Sequence, residues 1–262
     1  MLDNYLYVFV DRVSHHTITR GVGLRYFSQA IKKMPQNILL LAGSHPLAQR
    51  DEYTRFFTIR GAEAVREFIQ QQEEEEHFPK KWVDFTSYEL LQQLSDGEIA
   101  ELLYLAHMQR HLHAPFFYKL QNRYVVLPLG RQMDKIYYHD INEFYLQLSK
   151  LLVDCGSKAN MNLTQQVFSW LRPKERTLQL VGPNLEVMKA LEPLLQEGLI
   201  FDLTDFDIWD SDSKITLYLA EDDWERVVNQ PIARVPLGTL SYNKISHDWK
   251  LNTEPFERIY GG

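Results

Sequence analysis

The sequence predicts an α+β protein in which two segments with a split-βαβ (ferredoxin-like) order of elements flank a central helix-helix-β-meander-helix unit. Apolar residues at helical spacing alternate with short aromatic and β-branched runs, the two outer thirds have a similar order of elements, and helix-start signatures concentrate in the middle. The predicted segments are residues 1–85, 86–155 and 156–262. The alternative is one continuous α/β sheet containing strands from both ends of the chain.

The N-terminal segment has the predicted order β-α-β-β-α, followed by a short final strand. Residues 11–23 are polar and contain two glycines, so they are predicted to form a connector after the first strand. Aromatic and β-branched runs predict strands at residues 5–10, 37–42, 53–59 and 82–85. Apolar spacing predicts helices at residues 24–34 and 61–76.

The central segment carries three helix starts in which an N-cap oxygen and a carboxylate three residues later satisfy helix donors. These pairs are Thr86 with Glu89, Ser95 with Glu98, and Asp140 with Glu143. The predicted helices are residues 87–94, 96–113 and 141–153. Between the last two, a meander is predicted with strands at 116–120, 124–127 and 135–138.

The C-terminal segment repeats the order β-α-β-β-α-β. Pro193 is predicted to kink or end the first helix, because proline lacks the backbone donor that a helix interior requires. Predicted strands are residues 177–181, 199–206, 214–220 and 232–237, predicted helices are 185–195 and 221–229, and residues 238–262 form an irregular tail.

Composition restricts the class of protein. The chain has 262 residues, 45% hydrophobic, with a net charge of −7, so no basic field attracts nucleic acid at long range. The single cysteine, Cys155, excludes an internal disulfide and is interpreted as a small buried hydrophobe. No stretch has the length of a membrane span, and the start lacks the basic region of a secretory signal, so we expect a cytoplasmic protein.

The first candidate site is a ligand-binding loop. His15, His16, Arg20 and Arg25 lie in or beside the connector between the first strand and the first helix, and the arginines suit a carboxylate or phosphate. The alternative interpretation is a solvated connector.

The second candidate is a metal site at His107 and His111. Residues four apart lie on one helix face, a geometry that can chelate zinc, although zinc requires a third protein ligand. The alternative is that these imidazoles lie at the edge of the apolar face of the predicted helix, where the dipole at the helix C-terminus favours them. An acidic run from Asp202 to Asp212 suits hard cations or a solvated hairpin.

Three functional hypotheses follow. The favoured one is a non-catalytic interaction or small-ligand-sensing protein, because no complete catalytic constellation is present. The others are a metal-assisted hydrolase using His107 and His111, and a winged-helix DNA-binding protein built on residues 86–129. The sequence identifies no cofactor, does not decide whether the protein is an enzyme, and allows a protein partner, a small ligand or a homodimer.

Overall fold

The structure, a computed structural model, describes residues 4–74, 80–107, 115–130, 133–164, 181–204, 206, 213–220, 235–243 and 245–253, with side chains up to residue 156 in the fourth range. The strands are β1 (Tyr5–Asp11), β2 (His16–Arg20), β3 (Asn37–Leu40), β4 (Gln49–Arg50), β5 (Phe57–Arg60), β6 (Trp82–Phe85), β7 (Tyr124–Gly130), β8 (Met133–Tyr138), β9 (Leu199–Asp202), β10 (Lys214–Leu219), β11 (Gly238–Asn243) and β12 (Asp248–Thr253). The helices are α1 (Phe27–Ala30), α2 (Ala62–Glu74), α3 (Tyr88–Leu91), α4 (Asp96–His107), α5 (Ile141–Thr164), α6 (Leu185–Ala190) and α7 (Glu192–Glu197).

The chain divides into two compact units. The central unit is Val10–Gln147, and the terminal unit combines Met1–Phe9 with Leu148–Gly262. The sequence predicted three consecutive segments, divided at residues 85 and 155. That division stays a prediction.

The central unit is built on antiparallel strands in the order β2-β8-β7-β6-β3-β5-β4. Helices α3 and α4 cover one face, because their apolar residues pack against alternate residues of β3, β6, β7 and β8. On the other face, Phe27 of α1 contacts the rings of Trp82, Tyr124 and Tyr138, and Phe68 of α2 contacts Trp82. Both faces of this sheet are therefore covered by helices.

The terminal unit contains antiparallel strands in the order β12-β11-β10-β9-β1. Asn184 caps α6, since its side chain accepts a hydrogen bond of 2.9 Å from the Val187 amide. Pro193 lies in the first turn of α7, so the proline separates two short helices as the sequence predicted. Trp249 of β12 donates its indole N–H to the Val181 carbonyl at 2.7 Å.

The α+β class is confirmed in its coarse form, because helices accompany strands whose pairings within each unit are antiparallel. The ferredoxin-like arrangement is not confirmed. Strands from the predicted N-terminal segment pair with strands from elsewhere: β1 pairs with β9, and β2 pairs with β8. Long-range pairing of this kind is invisible to an order of elements read along the chain.

Three predicted elements are wrong. The connector at residues 11–23 contains β2, and the tail at residues 238–262 contains the hairpin of β11 and β12. Residues 116–120 form no strand, because Asn122 ties this segment into a turn by accepting from the Phe117 amide at 2.7 Å and donating to the Pro115 carbonyl at 3.0 Å. The predicted helix at 24–34 is reduced to one turn, α1.

Several predictions lie outside the described residues. They concern the end of the helix at 96–113, the strand at 177–181 up to residue 180, the helix at 221–229 and the first part of the strand at 232–237. Cys155 is half-buried and not a fully buried hydrophobe. Among the helices that the structure describes, none combines the length and the apolar character needed to cross a bilayer.

Candidate anion-binding site

Strand β2 is unusual because most of its residues are polar and yet nearly all are buried. It forms a strand because it completes the backbone hydrogen bonds of β8 in antiparallel register. Side chains alternate between the two faces of a sheet, so His16, Ile18 and Arg20 share one face. The residues opposite them on β8 are Tyr137 for His16, Lys135 for Ile18, and Met133 for Arg20.

This register places three basic side chains on one face. His16, Arg20 and Lys135, which we call the basic cluster, are 7%, 9% and 8% exposed. The Tyr137 ring links two of them: its centroid lies 5.1 Å from that of the His16 ring and 5.0 Å from the Lys135 Nζ atom. An ammonium group over an aromatic face is attracted by the ring quadrupole.

Arg20 and Lys135, the two cations of the basic cluster at neutral pH, have no direct acidic contact among the described residues, although the Asp11 carboxylate attracts Lys135 and raises its pKa against the effect of burial. Within the described part of the chain, neither Arg20 nor Lys135 forms an ion pair or a side-chain hydrogen bond. Asp134 neighbours Lys135 in sequence but points to the opposite face of the sheet, beside Gly23. The positive charge on this face is therefore compensated only in part, by the electrostatic effect of Asp11 on Lys135.

Asp11 is the acid nearest to the basic cluster. Its Oδ2 atom lies 3.8 Å from the His16 Nδ1 atom, and the carboxylate also accepts hydrogen bonds from the Val13 and Ser14 amides and the Ser14 hydroxyl. Burial alone would raise the pKa of Asp11, but the Ser14 and Val13 hydrogen bonds and the nearby His16 hold it below its usual value. Asp11 is therefore ionised at neutral pH and shapes the turn before β2.

Desolvation dominates the electrostatics of the cluster. Burial, together with the charge of Lys135, lowers the pKa of His16 to about 4 against the opposing effect of Asp11. Burial also lowers the pKa of Lys135 and that of Arg20. At neutral pH the imidazole is neutral, and the two cations are in a site that penalises charge unless an anion is near.

The segment that leaves β2 is held by glycines and by Arg25. Gly21 and Gly23 have φ angles of 76° and 54°, a region that side chains with a Cβ rarely adopt. The Arg25 guanidinium donates to the Gly21 carbonyl, so this side chain braces the turn. Arg25 therefore has a local structural partner, whereas the Arg20 guanidinium makes no side-chain hydrogen bond to the residues that the structure describes.

The four residues of the predicted ligand loop thus have different positions. His16 and Arg20 lie together on the face of β2, whereas Arg25 braces the following turn and His15 lies in the preceding turn with a φ of 54°. Lys135 was missed by sequence reasoning. Its signal is a lysine at the central position of the alternation Met133, Lys135, Tyr137, where two apolar or aromatic residues predict a buried face.

The metal hypothesis stays a prediction. His107 is exposed at the end of α4, and His111 lies outside the described residues. In the described ranges, no group of three or more His, Cys, Asp or Glu side chains is arranged to hold a metal ion. Of the acidic run, Asp202 accepts from the Thr204 amide at 2.9 Å, and residues 205 and 207–212 also lie outside the described ranges.

The winged-helix hypothesis also stays a prediction. Lys119 would lie in the hairpin wing of residues 86–129 and offer a cation to DNA, but it donates to the Glu98 carboxylate at 2.7 Å and to the Gln93 carbonyl at 2.8 Å. This lysine fastens the turn at residues 118–121 to α4. Its charge is largely balanced before any phosphate approaches.

The other buried acids have structural partners. Asp84 accepts from the Arg123 and Tyr124 amides at 2.8 and 2.7 Å, where the ladder between β6 and β7 ends, and burial raises its pKa to about 7. Asp51 accepts hydrogen bonds from Thr54 and Tyr88. Both carboxylates accept their hydrogen bonds from groups of this chain, so they give no sign of a ligand site.

Comparison with known proteins adds no family or function. No protein-family model matches the chain, and no match was found among curated proteins or solved structures.

Proposed function

We propose that this protein is a non-catalytic, small-ligand-sensing protein whose ligand carries a carboxylate or a phosphate. The basic cluster is the proposed binding site. Arg20 and Lys135 are the residues that hold the anion, and the neutral His16 provides a further polar contact.

The observation that carries this proposal is the burial of two cations that form no ion pair and no side-chain hydrogen bond with the described residues. Arg20 and Lys135 are less than one tenth exposed, and burial lowers the pKa of both. Buried charges in proteins are normally paired, because removing an ion from water costs several kcal/mol. An anionic ligand would offset that cost, which favours binding at this face over the rest of a chain with a net charge of −7.

The chemistry of the cluster favours a small anion. A guanidinium presents a planar set of donors that matches carboxylate and phosphate oxygens, and the ammonium adds a second charge. Because the side chains are almost fully buried, the groups suit a compact ligand better than a polymer backbone.

Calorimetric titration with lactate and with inorganic phosphate at low salt tests the proposal. Arg20→Met and Lys135→Met are each expected to weaken binding about 10- to 100-fold, because a hydrogen bond to a charged group contributes roughly 1.5–3 kcal/mol. Arg66→Met and Lys33→Met remove exposed charges of the central unit and should leave the affinity unchanged.

Two results would refute this function. One is that neither lactate nor phosphate binds to the folded wild-type protein. The other is binding that persists with the same affinity in Arg20→Met and Lys135→Met, since the anion would then occupy another site.

A further inference from the structure

Lys135 has the properties of a nucleophilic amine as well as those of a cation. Its side chain is 8% exposed, and it has no ion pair among the residues that the structure describes. Burial lowers the pKa of Lys135 more than Asp11 raises it, so the neutral amine is more abundant than in a solvated lysine. Lysines in such desolvated surroundings form Schiff bases with carbonyl compounds.

Two neighbours would serve this chemistry. Arg20 lies diagonally across from Lys135 on the same face, a relation that places such residues about 7–8 Å apart in antiparallel strands, with their Cβ atoms somewhat closer. His16 shares that face, and its ring contacts Tyr137, over whose ring the lysine amine lies. A guanidinium for an acid group, an amine and a neutral imidazole therefore converge on one patch of the sheet.

We propose that Lys135 forms a reversible Schiff base with a 2-oxo acid whose carboxylate is bound by Arg20. This inference rests on the proposed anion-binding function and names its ligand class. A 2-oxo acid fits because its carboxylate and carbonyl carbon are directly bonded, and the two side chains that would engage them are diagonal neighbours.

Formation of the Schiff base uses only the Lys135 amine, the His16 imidazole and the 2-oxo acid. The lone pair of the Lys135 amine forms a bond to the keto carbon, and the electron pair of the carbonyl bond moves to oxygen. The neutral His16 imidazole transfers one N–H proton to this oxygen, which gives the carbinolamine, and then transfers the second N–H proton to the carbinolamine hydroxyl. That hydroxyl leaves as water, and a carbon–nitrogen double bond replaces the carbon–oxygen double bond without oxidation or reduction.

Borohydride trapping with pyruvate tests the inference on the full chain. Borohydride reduces the imine to a stable secondary amine, so the intact mass should increase by one reduced pyruvate adduct, which peptide mass spectrometry maps to Lys135. Lys135→Arg keeps the positive charge but removes the nucleophile, and it should lose the adduct. Lys33→Arg changes an exposed lysine and should retain it.

Lactate separates this inference from the function on which it rests, because it has the same carboxylate but no ketone. If lactate binding depends on Arg20 while pyruvate leaves no adduct on Lys135, the Schiff base is refuted and anion binding stands. If neither lactate nor phosphate binds and no adduct forms, both are refuted. An adduct spread over exposed lysines, and unchanged in Lys135→Arg, also overturns the inference.

Discussion

At the scale of single residues, His16 shows how burial changes the chemistry of a side chain. The imidazole is 7% exposed and lies between the Asp11 carboxylate and the Tyr137 ring. Desolvation, with the charge of Lys135, lowers its pKa to about 4 from an ordinary value of 6.5. The folded protein therefore disfavours a proton that the unfolded chain binds readily.

This difference predicts acid sensitivity over a defined range. As the pH falls from 6.5 towards 4, the unfolded chain gains a proton on His16 and the folded protein does not, so the free energy of unfolding decreases. The loss attributable to His16 reaches roughly 3 kcal/mol and levels off below pH 4. Denaturant unfolding of the wild type and of His16→Gln at a series of pH values measures it, and the variant should show the smaller decrease.

The matched control is His107→Gln, which removes an exposed imidazole. Its unfolding free energy should follow the wild-type pH profile. If His16→Gln also follows that profile between pH 6.5 and 4, the imidazole is not desolvated as described.

At the scale of elements, the three helix-start signatures have different outcomes. Ser95 and Glu98 form the reciprocal pair: the Ser95 amide donates to the Glu98 carboxylate at 2.7 Å, and the Glu98 amide donates to the Ser95 hydroxyl at 3.4 Å. At the start of α3 the N-cap is Ser87 in place of Thr86, whose hydroxyl donates to Gln121. The local sequence pattern therefore located both helix starts. At α3, however, a contact with Gln121 replaces the predicted capping role of Thr86.

The intact capping box gives a second stability prediction. Ser95→Ala should reduce the free energy of unfolding by about 1 kcal/mol, because it removes the acceptor for the Glu98 amide. Chemical denaturation measures the change. Ser87→Ala is the comparison, since the Ser87 side chain makes no capping hydrogen bond, and a loss of equal size there would argue against the box as the cause.

At the scale of the central unit, Glu143 joins segments that are far apart in the chain. It was predicted to complete a capping box with Asp140, and that part is wrong. The fully buried carboxylate accepts instead from the Lys32 amide at 3.0 Å and from the Tyr124 hydroxyl at 2.8 Å, and it lies 3.4 Å from the Arg123 guanidinium. Asp140 still accepts from the Asn142 amide at 3.1 Å in the first turn of α5.

Removing this junction should destabilise the protein strongly. Glu143→Ala leaves the Tyr124 hydroxyl and the Lys32 amide without an acceptor and Arg123 without its counter-charge, a loss of about 3–5 kcal/mol. Thermal or denaturant unfolding measures it. Glu101→Ala removes an exposed carboxylate on α4 and should change stability by less than about 0.5 kcal/mol; equal effects of the two substitutions would contradict the network.

The elements of this fold that could be predicted are mostly those whose signal lies in neighbouring residues, and an element that depends on long-range strand pairing could not. Helix α4 and strands β3, β6 and β10 were anticipated, because their apolar spacing is local information. Strand β2 was not, since polar residues at four of its five positions resemble a solvated connector until β8 is known to pair with it. The hairpin of β11 and β12 was missed although its sequence alternates: Leu240 and Tyr242 of β11, and Trp249 and Leu251 of β12, are separated by single polar residues.

The sequence by itself determined the α+β class, the helix start at Ser95, the break at Pro193 and the candidacy of His16 and Arg20. Only the tertiary structure decided that His16 and Arg20 share a face with Lys135, more than one hundred residues away in the chain. The physical reason is that the cost of burying a cation depends on its surroundings, and long-range strand pairing creates those surroundings. A lysine and an arginine that resemble solvated residues in the sequence become two buried charges with no ion pair among the described residues when β2 pairs with β8.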